Sequence, residues 1–221
     1  MEIIRSKTLL DKYFQQYPFA EYFSFDIKPY TSVVHFEPDE VILQEGASPS
    51  HLYFLFDGRA KLFLTHKNGT VSLINFLEAP CFIGEMELLD STKSYHGVVA
   101  IHACSCFSIN LAACKNQLLN DAKFLRHLCH FISQKTLGDI RNYSRNQSYP
   151  LKNRLASFIL MTAHNGIYCE RHTETAGFLG VTYRHLLYVL AEFVKDGVLE
   201  KTQAGYRIVK LEELKKLAEL S

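Results

Sequence analysis

No Cys-X-X-Cys pair occurs among the six cysteines, which stand at positions 81, 104, 106, 114, 129 and 169. Their density is far below that of a small stapled scaffold, so a disulfide framework is not expected. No apolar run approaches the length needed to cross a bilayer, and the opening Met1-Glu-Ile-Ile-Arg-Ser-Lys lacks the unbroken apolar stretch of a signal peptide. A cytoplasmic location is therefore expected. An excess of one charge is missing too: Lys and Arg number 24 against 23 Asp and Glu, a formal net charge of +1. A chain that coats nucleic acid without regard to sequence would be far more basic. Nothing resembles a nucleophile elbow, a glycine-rich phosphate loop or a catalytic carboxylate pair in a recognisable motif, so no enzyme is indicated.

What is present is a 48% hydrophobic content over 221 residues, enough to fill one large or two smaller domains. Acidic residues slightly outnumber basic ones up to residue 147. Arg154, Arg171, Arg184, Lys195, Lys201, Arg207 and Lys210 concentrate positive charge in the last third.

An amphipathic opening carries Leu9, Leu10, Tyr13 and Phe14, then Phe19, Tyr22 and Phe23, before the hydrophobic period shortens to two near Thr31. Strand-like runs follow at 32–36, 40–44, 52–56, 60–65, 71–76 and 97–102. Glu37-Pro38-Asp39, Glu45-Gly46, Asp57-Gly58, Asn68-Gly69 and Ala79-Pro80 separate them. Short strands so punctuated, with Asn68-Gly69 the strongest hairpin signal, predict an antiparallel barrel or a β-roll of jelly-roll type. From Leu111 to Arg145 one long helix is expected, with apolar positions at Leu118, Leu125, Leu128, Ile132, Ile140 and Tyr143. A second stripe of Leu119, Phe124 and Phe131 asks for two partners: the roll, and a twin helix from a second subunit. A helix packed on its own roll alone is the alternative. Residues 144–149 are polar and read as a hinge, and Pro150 suits the first turn of a new helix. The expected class is α+β, divided into a roll with its leading helix at 1–110, a dimerisation helix and hinge at 111–147, and a third domain at 148–221.

Between His172 and Phe193 the spacing fits a helix-turn-helix. Leu179, Val181, Leu186, Val189 and Leu190 fall where two short crossing helices need apolar contacts. Ala176 is small at the crossing, and Gly180 suits a left-handed turn. Thr182 can cap the second helix, leaving Tyr183, Arg184, His185 and Tyr188 facing outward, as groups that enter a major groove must. A hairpin that merely fills a core is the plainer alternative. Residues 197–209 read as a two-stranded wing turning near Gly205, on which Lys201, Gln203 and Arg207 can meet phosphates. Arg184 can grip a guanine edge with two bonds or rest on a phosphate, and the sequence leaves both open.

Roll, long helix and winged helix-turn-helix in this order resemble the catabolite-activator and fumarate-nitrate regulator superfamily of bacterial transcription factors. The likeness rests on Pro38-Asp-Glu-Val-Ile, Glu45-Gly46, Leu52-Tyr-Phe-Leu with Gly58, Gly84-Glu85-Met86 and Asn153-Arg-Leu-Ala. Ala79-Pro-Cys-Phe-Ile-Gly-Glu, Cys104-Ser-Cys106, Phe124-Leu-Arg and Tyr183-Arg-His-Leu-Leu-Tyr-Val-Leu-Ala look like its YeiL-like branch. The resemblance implies a dimer on an inverted-repeat DNA operator, with RNA polymerase as a partner and an effector pocket in the roll. Candidate pocket residues are Gly84, Glu85, Met86, Tyr95, His96 and Asp139. In cyclic-AMP-binding members an Arg-Ser pair clamps the phosphate; here Tyr95 and His96 stand in its place, and Asp139 and Ile140 replace hydroxyl residues on the long helix. Cyclic AMP is thus not expected. The Arg-Glu-Thr that usually opens the recognition helix is Tyr183-Arg184-His185, so a different operator is expected.

Cys81, Cys104, Cys106 and Cys129 could together hold an iron-sulfur cluster or sense redox state if helix and roll pack closely, the alternative being small buried hydrophobes. His127 and His130 flank Cys129 without making a local metal site. The reading reached is a dimeric, sequence-specific DNA-binding regulator with an N-terminal sensor. A ligand- or redox-sensing module acting through a protein partner is the alternative.

Overall fold

The computed structural model describes residues 2–4, 7–90 and 96–219. It divides into two compact units, Met1–Thr136 and Leu137–Ser221.

In the first unit, strand β1 (Glu2–Ile4) and helix α1 (Lys7–Gln16) lead into β2 (Thr31–Phe36), β3 (Val41–Leu43), β4 (His51–Asp57), β5 (Arg59–Thr65), β6 (Val71–Glu78) and β7 (Cys81–Ile83). The short helix α2 (Glu85–Leu89) precedes β8 (Gly97–Ala100), β9 (Cys104–Asn110), α3 (Leu111–Asn120) and α4 (Ala122–Ser148), whose residues from Leu137 onward belong to the second unit. The described strands form two antiparallel sheets, ordered β1-β2-β9-β4-β7 and β3-β8-β5-β6. Asn68-Gly69 does join β5 to β6, in a loop where Gly69 takes φ +80° and the Asn68 Oδ1 accepts from the Thr70 N–H at 3.0 Å.

Central strand β9 is buried on both sides, a pattern without polar alternation and therefore invisible to a period-two reading. Its Cys104 and Cys106 join Val34, Leu55, Leu62 and Val98 in one core. Its Phe107 and Ile109 join a second core with α1, α3 and α4, in which Phe107 stacks on Phe19 at 4.7 Å and Phe23 on Phe124 at 5.2 Å.

The single helix expected from Leu111 to Arg145 is two helices. Asp121 sits between them in extended backbone, its Oδ1 accepting the Lys123 N–H at 3.0 Å and the Phe124 N–H at 3.3 Å. The other oxygen accepts the Ser24 N–H at 2.8 Å. Burial works to raise the Asp121 pKa, but these bonds from Ser24, Phe124 and Lys123 outweigh it and hold the carboxyl below its usual range. A short acceptor that satisfies the first amides of a new helix outcompetes helix continuation. Nor do residues 144–149 form a hinge: α4 runs to Ser148, 27 residues or about 40 Å. The break comes at Tyr149-Pro150, where the proline disfavours helical backbone in the residue before it.

In the second unit, α5 (Leu151–Thr162), β10 (Ile167–Tyr168), α6 (His172–Phe178), α7 (Tyr183–Lys195), β11 (Leu199–Thr202), β12 (Gly205–Ile208) and α8 (Leu211–Glu219) surround a small antiparallel sheet ordered β10-β12-β11. Leu155, Phe158, Ile159, Leu186, Leu190, Phe193 and Leu214 are buried in it. No described helix is long and apolar enough to cross a membrane. The α+β class and the roll, long helix and winged reader are as expected.

Candidate nucleic-acid interface and sensor cavity

The reading helix is positioned by its own turn. Gly180 takes φ +64°, and the Val181 N–H donates to the Ala176 carbonyl at 2.9 Å, closing the turn between α6 and α7. Thr182 Oγ1 then accepts the His185 N–H at 3.2 Å, capping α7. Leu186, Val189, Leu190 and Phe193 turn inward with Ala176 and Leu179, while Val181 is half-buried. That orientation fixes the other face. Thr182, Tyr183, Arg184, His185 and Tyr188 are all exposed, Tyr188 to 64%. Among the described residues Arg184 has no ion-pair partner, so its guanidinium is available to an incoming acceptor.

On the wing, Lys201, Gln203 and Arg207 are exposed. Arg207 lies opposite Glu200 across the β11–β12 pair and is bonded to it, so a phosphate must compete for that guanidinium. Arg154, one of the basic residues of this region, faces inward instead. Its Nε donates to the Tyr149 carbonyl at 2.8 Å and its Nη1 to Asn146 Oδ1 at 3.3 Å and to the Leu179 carbonyl. Asn146 Nδ2 also donates to the Phe178 carbonyl at 2.8 Å. The last turn of α4 is thereby stapled to the turn that aims α7. A groove of about 500 Å³ between α7 and the wing is lined by Tyr168, His172, Tyr183, Lys201 and Tyr206. Sequence reading named Tyr183 and Lys201 but missed His172 and Tyr206, which only the folded wing brings beside them.

In the roll, Gly84 takes φ +90° and starts α2. Glu85 and Met86 thereby reach a cavity walled by Leu43, Leu62 and Val98, which His96 also lines. About 20 Å³ is open there, room for about one water. Lys135, which sequence reading missed, also lines the cavity. From α4 its Nζ donates to Glu85 Oε1 at 2.7 Å, with the carboxylate side chain 3% exposed and the lysine 18%. Met86 is largely exposed and His96 half-buried. Asp139 is exposed on α4 and belongs to the second unit; Tyr95 lies outside the described residues.

The four cysteines do not converge. Cys81, Cys104 and Cys106 are buried inside the roll, whereas Cys129 is exposed on α4. Burial, then the nearby Glu85, pushes the Cys81 thiol up to about 12; burial takes Cys104 to about 11 and Cys106 well above its usual value. Cluster ligation needs convergent thiolates, so these residues do not suit an iron-sulfur centre. Among the described residues no group of three or more His, Cys, Asp or Glu could hold a metal ion.

Known proteins carry the same two parts. Residues 33–121 match the family model of the cyclic nucleotide-binding domain, and residues 153–219 that of the Crp-like helix-turn-helix domain. A Eubacterium rectale structure described as a regulator of the crp/fnr family aligns with a TM-score of 0.75 at 16% identity, over 87% of this chain and 92% of that one. A CRP/FNR family transcriptional regulator of Thermus thermophilus aligns at 0.69 with 21% identity, over 85% and 98%. The chain belongs to the CRP/FNR family of DNA-binding transcription regulators, with an N-terminal sensor domain and no enzymatic role. Within that family it is similar to Regulatory protein YeiL of Escherichia coli O157:H7, at 46% identity over 90% of this chain and 91% of that one.

Proposed function

We propose that the protein acts in the cytoplasm as a homodimer that recognises an inverted-repeat operator and engages RNA polymerase there. In this reading a roll with its leading helix over 1–110 senses, 111–147 joins the subunits, and 148–221 reads DNA. The observation that carries it is the capped α7, which buries one face on its own domain and leaves Tyr183, Arg184, His185 and Tyr188 exposed in a row. Such a helix enters a major groove with its N-terminal half against base edges. Dimerisation is supported by α4 beyond residue 136, where Leu137, Ile140 and Tyr143 are 47%, 58% and 66% exposed. Side chains of that size on a long helix mark a face that another helix covers.

Selection from random duplexes tests the reading. With Arg184→Ala, discrimination at one base position in each half-site is expected to fall by about 1–3 kcal/mol while the other positions keep theirs. Equal weakening on every sequence would reassign Arg184 to a phosphate.

The roll's cavity does not take cyclic AMP in this reading. Glu85 is already engaged by Lys135, and the open space is a small fraction of a nucleotide's volume. Calorimetric titration with millimolar cyclic AMP should give no binding heat and no change in operator affinity; a saturable heat would contradict this.

A further inference from the structure

We infer that the groove between α7 and the wing seats a DNA phosphate between His172 and Lys201, and that protonation of His172 makes operator affinity rise as pH falls. The inference rests on the DNA reading and adds to it a contact residue and a dependence on acidity.

The groove is a cradle of rings. His172 stands 5.7 Å from Tyr206, 6.4 Å from Tyr183 and 6.4 Å from Tyr168, on which it is stacked. Rings on three elements hold the half-buried imidazole in the cleft between the exposed start of α7 and the exposed wing turn. Those two elements are the ones that must straddle a DNA strand when α7 enters the groove, so a phosphodiester passes this cleft. Lys201 is exposed at the same cleft and has no ion pair among the described residues. Tyr183 and Tyr206 also line it, and burial, then Tyr183, raises the Tyr206 pKa, keeping it a phenol.

The titratable and charged groups around the imidazole are Tyr168 of β10, Cys169 and Glu170 of the next loop, Tyr183 of α7, Lys201 of β11 and Tyr206 of β12. Without DNA, burial and then the Lys201 charge hold the His172 pKa below its ordinary value, so the ring is neutral near pH 7. A phosphate brought between the two reverses the local charge and favours the imidazolium. The complex then binds a proton that the free protein does not. Affinity accordingly climbs as pH falls through the bound-state pKa and levels off below the free-state pKa, with a limit of about tenfold per pH unit for one proton.

The test uses the full chain and a duplex chosen by selection, with dissociation constants measured by fluorescence anisotropy from pH 6 to 8 at fixed ionic strength. Wild type is expected to bind about fivefold more tightly at pH 6 than at pH 8. His172→Gln should be flat near the wild-type pH 8 value, and His172→Arg flat near the pH 6 value. His130→Gln, altered at an exposed position of α4 in the first unit, should keep the slope. A wild-type affinity that ignores pH, or a slope that survives in His172→Gln, overturns the inference and leaves the DNA reading standing. A chain that selects no duplex at any pH takes down the DNA reading and this inference with it.

Discussion

Replacing Ile140 and Tyr143 together by glutamate is expected to leave the chain a monomer, breaking the proposed dimer, and to weaken operator binding by about a hundredfold or more. Both side chains stand well out from α4, at 58% and 66% exposed, and with Leu137 they fall within one arc of the helix at spacings of three residues. A second copy laying the same arc against them buries all three on each side, and two carboxylates placed there would meet their own copies at short range with no cation between them. The affinity loss follows from geometry rather than from any damaged base contact. Two linked reading helices convert the second half-site into an intramolecular event worth a factor of about 10² to 10⁴, which a monomer forfeits. The fold should survive, because neither side chain is buried within its own chain. Sedimentation velocity gives the state of assembly, anisotropy the affinity and circular dichroism the helix content. A dimer that persists, or a monomer that binds at wild-type strength, would remove α4 from the interface.

The Lys135→Met variant should lose about 3 kcal/mol of stability, towards the lower end of the cost of breaking a buried ion pair because the lysine retains some solvent contact. The substitution preserves most of the apolar stem but leaves the Glu85 carboxylate buried without its cation at 2.7 Å. Adding Glu85→Gln in the same chain removes the stranded charge and should restore about half or more of the loss, a coupling that a packing defect alone would not give. Urea unfolding of wild type, the two single variants and the double variant measures it. If Lys135→Met unfolds at the wild-type midpoint, the pair does not brace the cavity.

The parts of this molecule that were legible in the sequence are those fixed by neighbours along the chain. Gly180, Thr182 and the apolar spacing of α7 specify a turn, a cap and a buried face within about a dozen residues, so the helix-turn-helix and its exposed row could be read directly. Asn68-Gly69 marked its hairpin for the same reason. Contacts distant in sequence left no such trace. Asp121 caps the new helix through the amides of Lys123 and Phe124, a local signal that the amphipathic spacing masked, while the Ser24 N–H that occupies its other oxygen comes from 97 positions away. β9 hid because a strand covered on both faces loses the alternation that announces strands. Lys135 is an ordinary helix lysine in the sequence, and its partner lies 50 positions away. Arg154 counted among the basic residues of the reading domain, yet carbonyl groups from two other segments turn it inward. The cysteines illustrate the converse: short spacing between Cys104 and Cys106 brought them together, but no local rule could say that Cys129 faces away from them.

Selection of random duplexes with the wild-type chain, followed by footprinting and a count of chains per bound duplex, tests the central claim most directly. Two chains on an inverted repeat, its half-sites about one helical turn apart, is the result this account predicts. No enriched sequence, or one chain bound to a lone half-site at full strength, would contradict it.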